Sequence, residues 1–228
     1  MDNHILLLIS VWALPVLIAI TFHEAAHAFV ARVFGDDTAA KLGRVSLNPL
    51  RHVDPFGTVL LPAMLLLAHS PFLFGYAKPV PVNFAALRYP RLGMALVAAA
   101  GPLMNIGLAL LAALSFRLIP YFGQEVGRWI ATNLKNALVL NVWLAVFNLF
   151  PIPPLDGGRI AVALLPRFMA RPFARLQRVG MLILLIILVF VPLLGSRLGY
   201  DVGFVSQFLT GATQAVIRAI VHLTGLAP

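Results

Sequence analysis

The sequence predicts an all-α polytopic membrane protein, with about four to six transmembrane helices, a re-entrant hairpin and a short membrane-associated β-strand. Three observations lead there. Of 228 residues, 61% are hydrophobic and only 11% are charged, with a mean hydropathy of +0.93, against roughly 25% charged in soluble domains. The apolar residues gather in runs long enough to cross a bilayer. The basic residues, which give a net charge of +9 and a pI near 11.1, fall in short loops between those runs, as cytoplasmic flanks of membrane helices do. They are not interleaved with aromatics on a polar domain, so nucleic acid is excluded as a partner.

The elements follow in order. A first helix runs from about Ile5 to Phe34 and ends at Gly35-Asp36-Asp37. Residues 41–48 alternate Leu42, Arg44, Ser46 and Asn48 with Gly43, Val45 and Leu47, the period of a strand, and Pro49 ends it. A second apolar run, 58–74, contains Pro62, His69 and Pro71. A proline-rich loop at 76–91 carries Lys78, Arg88 and Arg91. Helices follow at about 92–118 and 125–150, joined by a tight connection at 119–123. Pro151, Pro153 and Pro154 break the second of these, and a short helix runs on to Leu165. Arg167, Arg171, Arg175 and Arg178 form a basic linker suited to anionic headgroups. A further helix covers 179–194, and the apolar tail at 202–223 spans the membrane or lies in its interface.

Charge sets the topology. Arg32, Lys41, Arg44 and Arg51 follow the first helix, and Lys78, Arg88 and Arg91 precede the next long one. Both groups are cytoplasmic only if 58–74 enters and leaves on one side, as a re-entrant hairpin would. A full crossing there would put Asp156 across the membrane from His23 and His27.

His23-Glu24-Ala25-Ala26-His27 carries the chemistry. In a helix the two histidines stand one turn apart on one face and can bind one Zn²⁺, while Glu24 beside them can take a proton from an attacking water. Ionisable groups in an apolar span are costly and usually functional. With no cysteine in the chain, further ligands come from histidine or carboxylate. Asp54 and Asp156 are the candidates. Asp54 also suits a turn before Pro55. Asp156, followed by Gly157 and Gly158, also suits a helix N-cap.

Phe22-His-Glu-Ala-Ala-His27, Gly101-Pro-Leu-Met-Asn105 and Asn148-Leu-Phe-Pro-Ile-Pro-Pro-Leu-Asp-Gly-Gly-Arg159, in that order on apolar segments, resemble the site-2 proteases, intramembrane zinc metalloproteases of regulated intramembrane proteolysis. Asn48-Pro49, Asp54-Pro55-Phe-Gly57 and Lys78-Pro79-Val80 extend the resemblance, which spans about Ala13 to Arg167. It implies that His23, His27 and Asp156 are the zinc ligands, one Zn²⁺ per chain. It implies that Glu24 activates the water and then protonates the leaving amine. Asn105 is the candidate donor to the oxyanion or clamp on the substrate backbone, against an interhelical hydrogen bond worth about 1 kcal/mol. Asn148 reads as a helix cap.

The resemblance also implies transmembrane protein substrates; the expected location is a prokaryotic plasma membrane, with the charge pattern placing the site toward the cytoplasm. The strand at 41–48 would pair with an unwound substrate by β-augmentation, or form a surface hairpin against headgroups. The run 58–74 is placed to act as a lid. His4, His52, His69 and His222 read as structural or solvated, and the Leu- and Ile-rich stripe at 182–191 as packing or lipid contact. The chain reads as one domain, with a catalytic core at about 5–167 and C-terminal helices at 179–224. The expectation is a compact member, without a PDZ or cystathionine-β-synthase domain and without a helix before the first. Nothing decides between monomer and homo-oligomer. Two rival classes remain: a membrane metal transporter or store, and an inactive scaffold for transmembrane helices. The gathering of ionisable groups at one depth and the presence of Glu24 speak against both.

Overall fold

A computed structural model describes residues 3–60, 64, 78–191 and 204–226. Among the described residues, three helices are long and apolar enough to cross a membrane: Leu6–Val33, Pro90–Tyr121 and Gln124–Asn148. The first lies in α1 (Asn3–Val33). It continues through Pro15 and ends where sequence places the stop. Gly35 takes φ +100°, its N–H reaches the Arg32 carbonyl at 2.9 Å, and the Asp36 N–H reaches the Ala31 carbonyl at 3.0 Å. This paired closure uses carbonyls the helix leaves unsatisfied, and only glycine adopts that φ without strain.

A short α2 (Thr38–Lys41) follows, then a 3₁₀ turn at Pro49–Arg51, whose Asn48 side chain accepts from the Leu50 N–H. A wide helical turn covers Pro55–Leu60. α3 (Pro90–Ser115) has proline at its first position, where the missing N–H is no loss. A 3₁₀ segment, Phe116–Tyr121, turns the chain into α4 (Gln124–Asn148). Three short helices follow: α5 (Asp156–Leu164), α6 (Arg167–Arg175) and α7 (Gly180–Leu185). The last helix is α8 (Phe204–Leu223).

The expected strand at 41–48 does not form, and the described residues contain no strand. Lys41 closes α2, Gly43 turns the chain at φ +64°, and the Ser46 hydroxyl takes the Asn48 N–H at 3.1 Å. A strand needs a partner for its N–H and C=O groups; here local side chains serve part of that need. The apolar run at 58–74 lies largely outside the described residues, as does His69. The helix expected at 179–194 begins as α7 and continues through Phe190.

Helix directions follow from a few contacts. The Arg88 N–H donates to the Phe34 carbonyl at 2.9 Å, so the chain between them returns to the end of the bundle it left. α3 therefore runs antiparallel to α1, and α4 returns parallel to α1. Trp129 Nε1 on Ser10 Oγ at 3.1 Å and Asn136 Nδ2 on the Val11 carbonyl at 3.0 Å join α4 to α1 near their N-terminal ends. Alanines make the close approaches: Ala19, Ala28, Ala31, Ala109, Ala113 and Ala145 are fully buried, while Leu6, Leu7, Ile9, Leu103 and Leu111 face outward. Small residues inside and large apolar ones outside are what a bilayer solvent selects. Ala109, Ala112 and Ala113 of α3 pack with Leu138 and Val142 of α4 and Ile220 of α8.

Candidate metal centre

His23 and His27 lie on the buried face of α1, and Asp156 opens α5. His23 Nε2 and His27 Nε2 are 3.1 Å apart, and Asp156 Oδ2 stands 3.3 Å from each. A tetrahedral ion with ligand bonds of about 2.0–2.1 Å has ligand–ligand edges of about 3.3 Å. The three atoms form one face of such a tetrahedron, and among the described residues this is the one His/Asp/Glu cluster with that geometry.

The protonation pattern fits a cation as well. His27 Nδ1–H donates to the Val97 carbonyl at 2.7 Å, and His23 Nδ1–H donates to Asn105 Oδ1 at 2.5 Å. Each acceptor holds the proton on Nδ1, so both Nε2 atoms present lone pairs. Asp156 Oδ2 is buried without a hydrogen-bond partner. Three acceptors facing each other in an apolar interior repel unless a positive ion lies between them.

The other carboxylate oxygen, Asp156 Oδ1, faces Arg159 at 3.5 Å, and that guanidinium lies 5.7 Å from the centre of the Phe84 ring. Arg91 of α3 donates to the carbonyls of Ala163 and Leu165, fastening the C-terminal end of α5. Asp156 is thus held from both ends of its own helix. Gly157 and Gly158 permit this placement. A Cβ at 157 would lie 2.1 Å from the Leu149 carbonyl oxygen, and one at 158 would lie 2.2 Å from Pro153 N.

Asn105 is fully buried. Its Nδ2 donates to the Ala19 carbonyl at 3.3 Å and to Asn141 Oδ1 at 2.7 Å, while Asn141 Nδ2 donates to the Ala137 carbonyl at 2.9 Å. These carbonyls need donors, which turns Asn105 Oδ1 toward His23. Both amide hydrogens of Asn105 are engaged in these bonds. Gly101, one turn earlier, lies under the rings: a Cβ there would stand 2.5 Å from both His23 Cε1 and His27 Nε2.

Glu24 Oε2 accepts the backbone N–H of Val80 at 2.8 Å. Asp54, the other acid weighed as a ligand, accepts from the N–H groups of Phe56 and Gly57 at 3.0 and 2.7 Å and opens the Pro55 turn. Asn148 donates to the Leu144 carbonyl within α4. His52 is buried, with Nε2–H on the Ser46 carbonyl at 2.7 Å. Beside the centre, between α1, α3 and residues 45–47, lies a cleft of about 600 Å³, walled by Phe22, Phe29, Leu47, Leu103 and Met104.

Sequence reasoning gave no role to Val97, Asn141, Arg159 or Val80, although the last two lie within the quoted motifs. Spacing carried a signal for Arg159, and for the approach of Gly101 and Asn105 to the histidines. Arg159 sits three residues after Asp156, on the same helical face, and Gly101 and Asn105 repeat the four-residue spacing of His23 and His27.

Comparison with known proteins decides the family. The chain is 40% identical over 187 residues to "Putative zinc metalloprotease YwhC" of Bacillus subtilis, covering 80% of this chain and 81% of that one. The chain belongs to peptidase family M50. These are the site-2 proteases, and the family model matches residues 119–191. Two relatives named "Putative zinc metalloprotease Rip2" also match this M50 protein. That of Mycobacterium tuberculosis H37Rv is 28% identical over 89% of this chain and 77% of its own, and that of Mycolicibacterium smegmatis is 29% identical over 81% and 67%. No solved structure matches. As a site-2 protease the protein is an intramembrane zinc metalloprotease, and its centre of two histidines and one carboxylate has the donor set of a catalytic zinc site.

Proposed function

We propose that His23, His27 and Asp156 hold the catalytic zinc, and that the enzyme hydrolyses peptide bonds within or next to transmembrane segments of membrane proteins. The observation that carries this reading is the triangle of Nε2, Nε2 and Oδ2 with edges of 3.1 to 3.3 Å. The chemistry a bound zinc supplies is Lewis acidity, which polarises the scissile carbonyl and makes water nucleophilic near neutral pH.

The chain's own residues supply the rest. Glu24 is fixed through Oε2 by the Val80 N–H, which leaves Oε1 to take the proton as water attacks. The new C–O bond forms, the C–N bond breaks, and Glu24 returns the proton to the departing nitrogen. Asn105 acts as a positioning residue for His23, and Arg159 for Asp156. The substrate lies extended in the cleft beside Val45–Leu47. The backbone of Val45 and Leu47 makes no hydrogen bond among the described residues, and it can pair with an unwound peptide without being a strand beforehand.

In topology we read a re-entrant hairpin at 58–74, a single domain and an active site at the cytoplasmic side of a prokaryotic plasma membrane. The bacterial relatives and the basic residues at this end of the bundle support that reading.

The test is cleavage of single-span membrane peptides in detergent by wild type and Glu24→Gln, with zinc measured in both. Cleavage within the spans by wild type alone, with zinc retained in the variant, is the expected result. Zinc missing from both proteins under metal-replete conditions overturns the site, and equal cleavage by both overturns the role of Glu24.

A further inference from the structure

Arg44 is buried, 7% exposed, and the described residues place no carboxylate in ion-pair contact with it. Charge flanking a membrane helix ordinarily sits at the headgroups. This one is turned inward. Its Nη1 donates to the Arg51 carbonyl, and its Nη2 donates to the carbonyls of Lys78 at 2.6 Å and Pro79 at 3.2 Å. Next in sequence is Val80, whose N–H holds Glu24. Burying a guanidinium among neutral groups costs free energy that an apolar side chain would avoid. What it provides is a rigid planar fork that reaches two chain segments at once. Lysine, with one compact charge, offers no such fork.

We infer that Arg44 is a positioning residue for the proton-transfer step: it clamps Lys78 and Pro79 so that the Val80 N–H aims Glu24 at the attacking water. The clamp is reinforced by His52, whose carbonyl accepts the Lys78 N–H at 3.0 Å and whose ring holds Ser46. Val80 also packs against Ala28 and Ala39, so the segment 78–80 is pinned by its side chain, by Arg44 and by His52 together. Without the guanidinium, three carbonyls lose their donor and the segment shifts. A base misplaced by about 1 Å loses rate far more than substrate affinity. The inference rests on the reading of Glu24 as the proton acceptor.

The experiment uses the full chain in detergent: wild type, Arg44→Lys, Arg44→Ala and Val80→Pro, the last removing the N–H itself. Four quantities are read: zinc content, kcat and KM on a cleaved peptide, recovery with millimolar guanidinium, and amide hydrogen exchange in residues 78–83. Expected are unchanged zinc and KM and a kcat about 10- to 100-fold lower in Arg44→Ala, Arg44→Lys and Val80→Pro. Exchange at 78–83 should quicken in Arg44→Ala, and guanidinium should restore rate to Arg44→Ala but not to Val80→Pro. Retained kcat, unchanged exchange, or loss of zinc together with activity in Arg44→Ala overturns the inference. If the wild type cleaves no peptide, the protease reading fails separately. Exchange then decides the clamp alone: faster exchange in Arg44→Ala supports it, and unchanged exchange overturns it.

Discussion

Asn105 on α3 and His23 on α1, 82 residues apart in sequence, share a 2.5 Å hydrogen bond that settles which nitrogen of the histidine carries the proton. Asn141 on α4 holds Asn105 in turn. The three long helices thus meet in one line of side chains that ends at the metal face. Replacing Asn105 by alanine frees the His23 ring to rotate and change tautomer. Zinc affinity should fall about 10- to 100-fold, as is usual for lost outer partners of a ligand. Competition with a chelator measures it, and wild-type affinity in the variant would refute the role.

Gly101→Ala should be more damaging than its size suggests. The added methyl would lie 2.5 Å from His23 and His27, whose rings are fixed by Asn105 and Val97. Overpacking of this kind costs about 1–3 kcal/mol. The site can relieve it only by moving the ligands, so zinc should be lost along with stability. Gly107→Ala on the same helix, where a Cβ meets nothing within 4 Å, should keep its zinc. Equal zinc content in the two variants would count against the close contact at Gly101.

Metal removal should be visible in stability. An ion that binds only the folded protein stabilises it by about 2.7 kcal/mol when free ligand stands at 100 times Kd. Chelation should therefore lower the Tm of the wild type. Asp156→Asn removes a charged donor from the triangle and should give a protein whose Tm no longer responds to chelator or added zinc. A chelator response of wild-type size in Asp156→Asn would remove Asp156 from the ligand set.

Asp36, just beyond the end of α1, should make stability depend on pH. Burial by itself pushes its carboxyl up, but the Thr38 hydroxyl, the N–H groups of Thr38 and Asn83, and the charge of Lys41 outweigh burial and hold it below the usual carboxylate range. Folding therefore favours the charged form. The stabilisation is complete above the unfolded value of about 3.9 and is lost as pH falls through the lower folded value. Asp36→Asn should have a lower Tm than wild type at pH 7, and the gap should shrink at about pH 3. A gap of equal size at both pH values would assign it to shape rather than charge.

The grouping of His23, His27 and Asp156 was legible because each part leaves a local mark. His23 and His27 stand at helical spacing in an apolar run, and Asp156 sits between a proline break and two glycines. The strand at 41–48 was misread because alternation reports which side of a chain is apolar, whereas a strand exists only if another strand takes its hydrogen bonds. The inward turn of Arg44 was not legible for a related reason. A basic residue after a membrane helix is ordinarily solvated, and only its three carbonyl partners reveal that it points inward. Asn105 was left between two roles because an amide can donate or accept, and the choice depends on Ala19 and Asn141, which no local pattern connects to it.

The sequence by itself pointed to an apolar solvent, to the three long helices and to the residue types that cluster at the site. Hydropathy, charge placement and helical spacing are properties of neighbouring residues and act over a few turns. Tertiary structure alone decided the tautomers of His23 and His27, the orientation of Asp156 between Arg159 and the histidines, and the hold of Val80 on Glu24. Each of these is a hydrogen bond or close approach at about 3 Å between distant segments. A lone pair aimed at a metal is set by whichever group holds the other side of the ring, and in this bundle that group lies on a different helix.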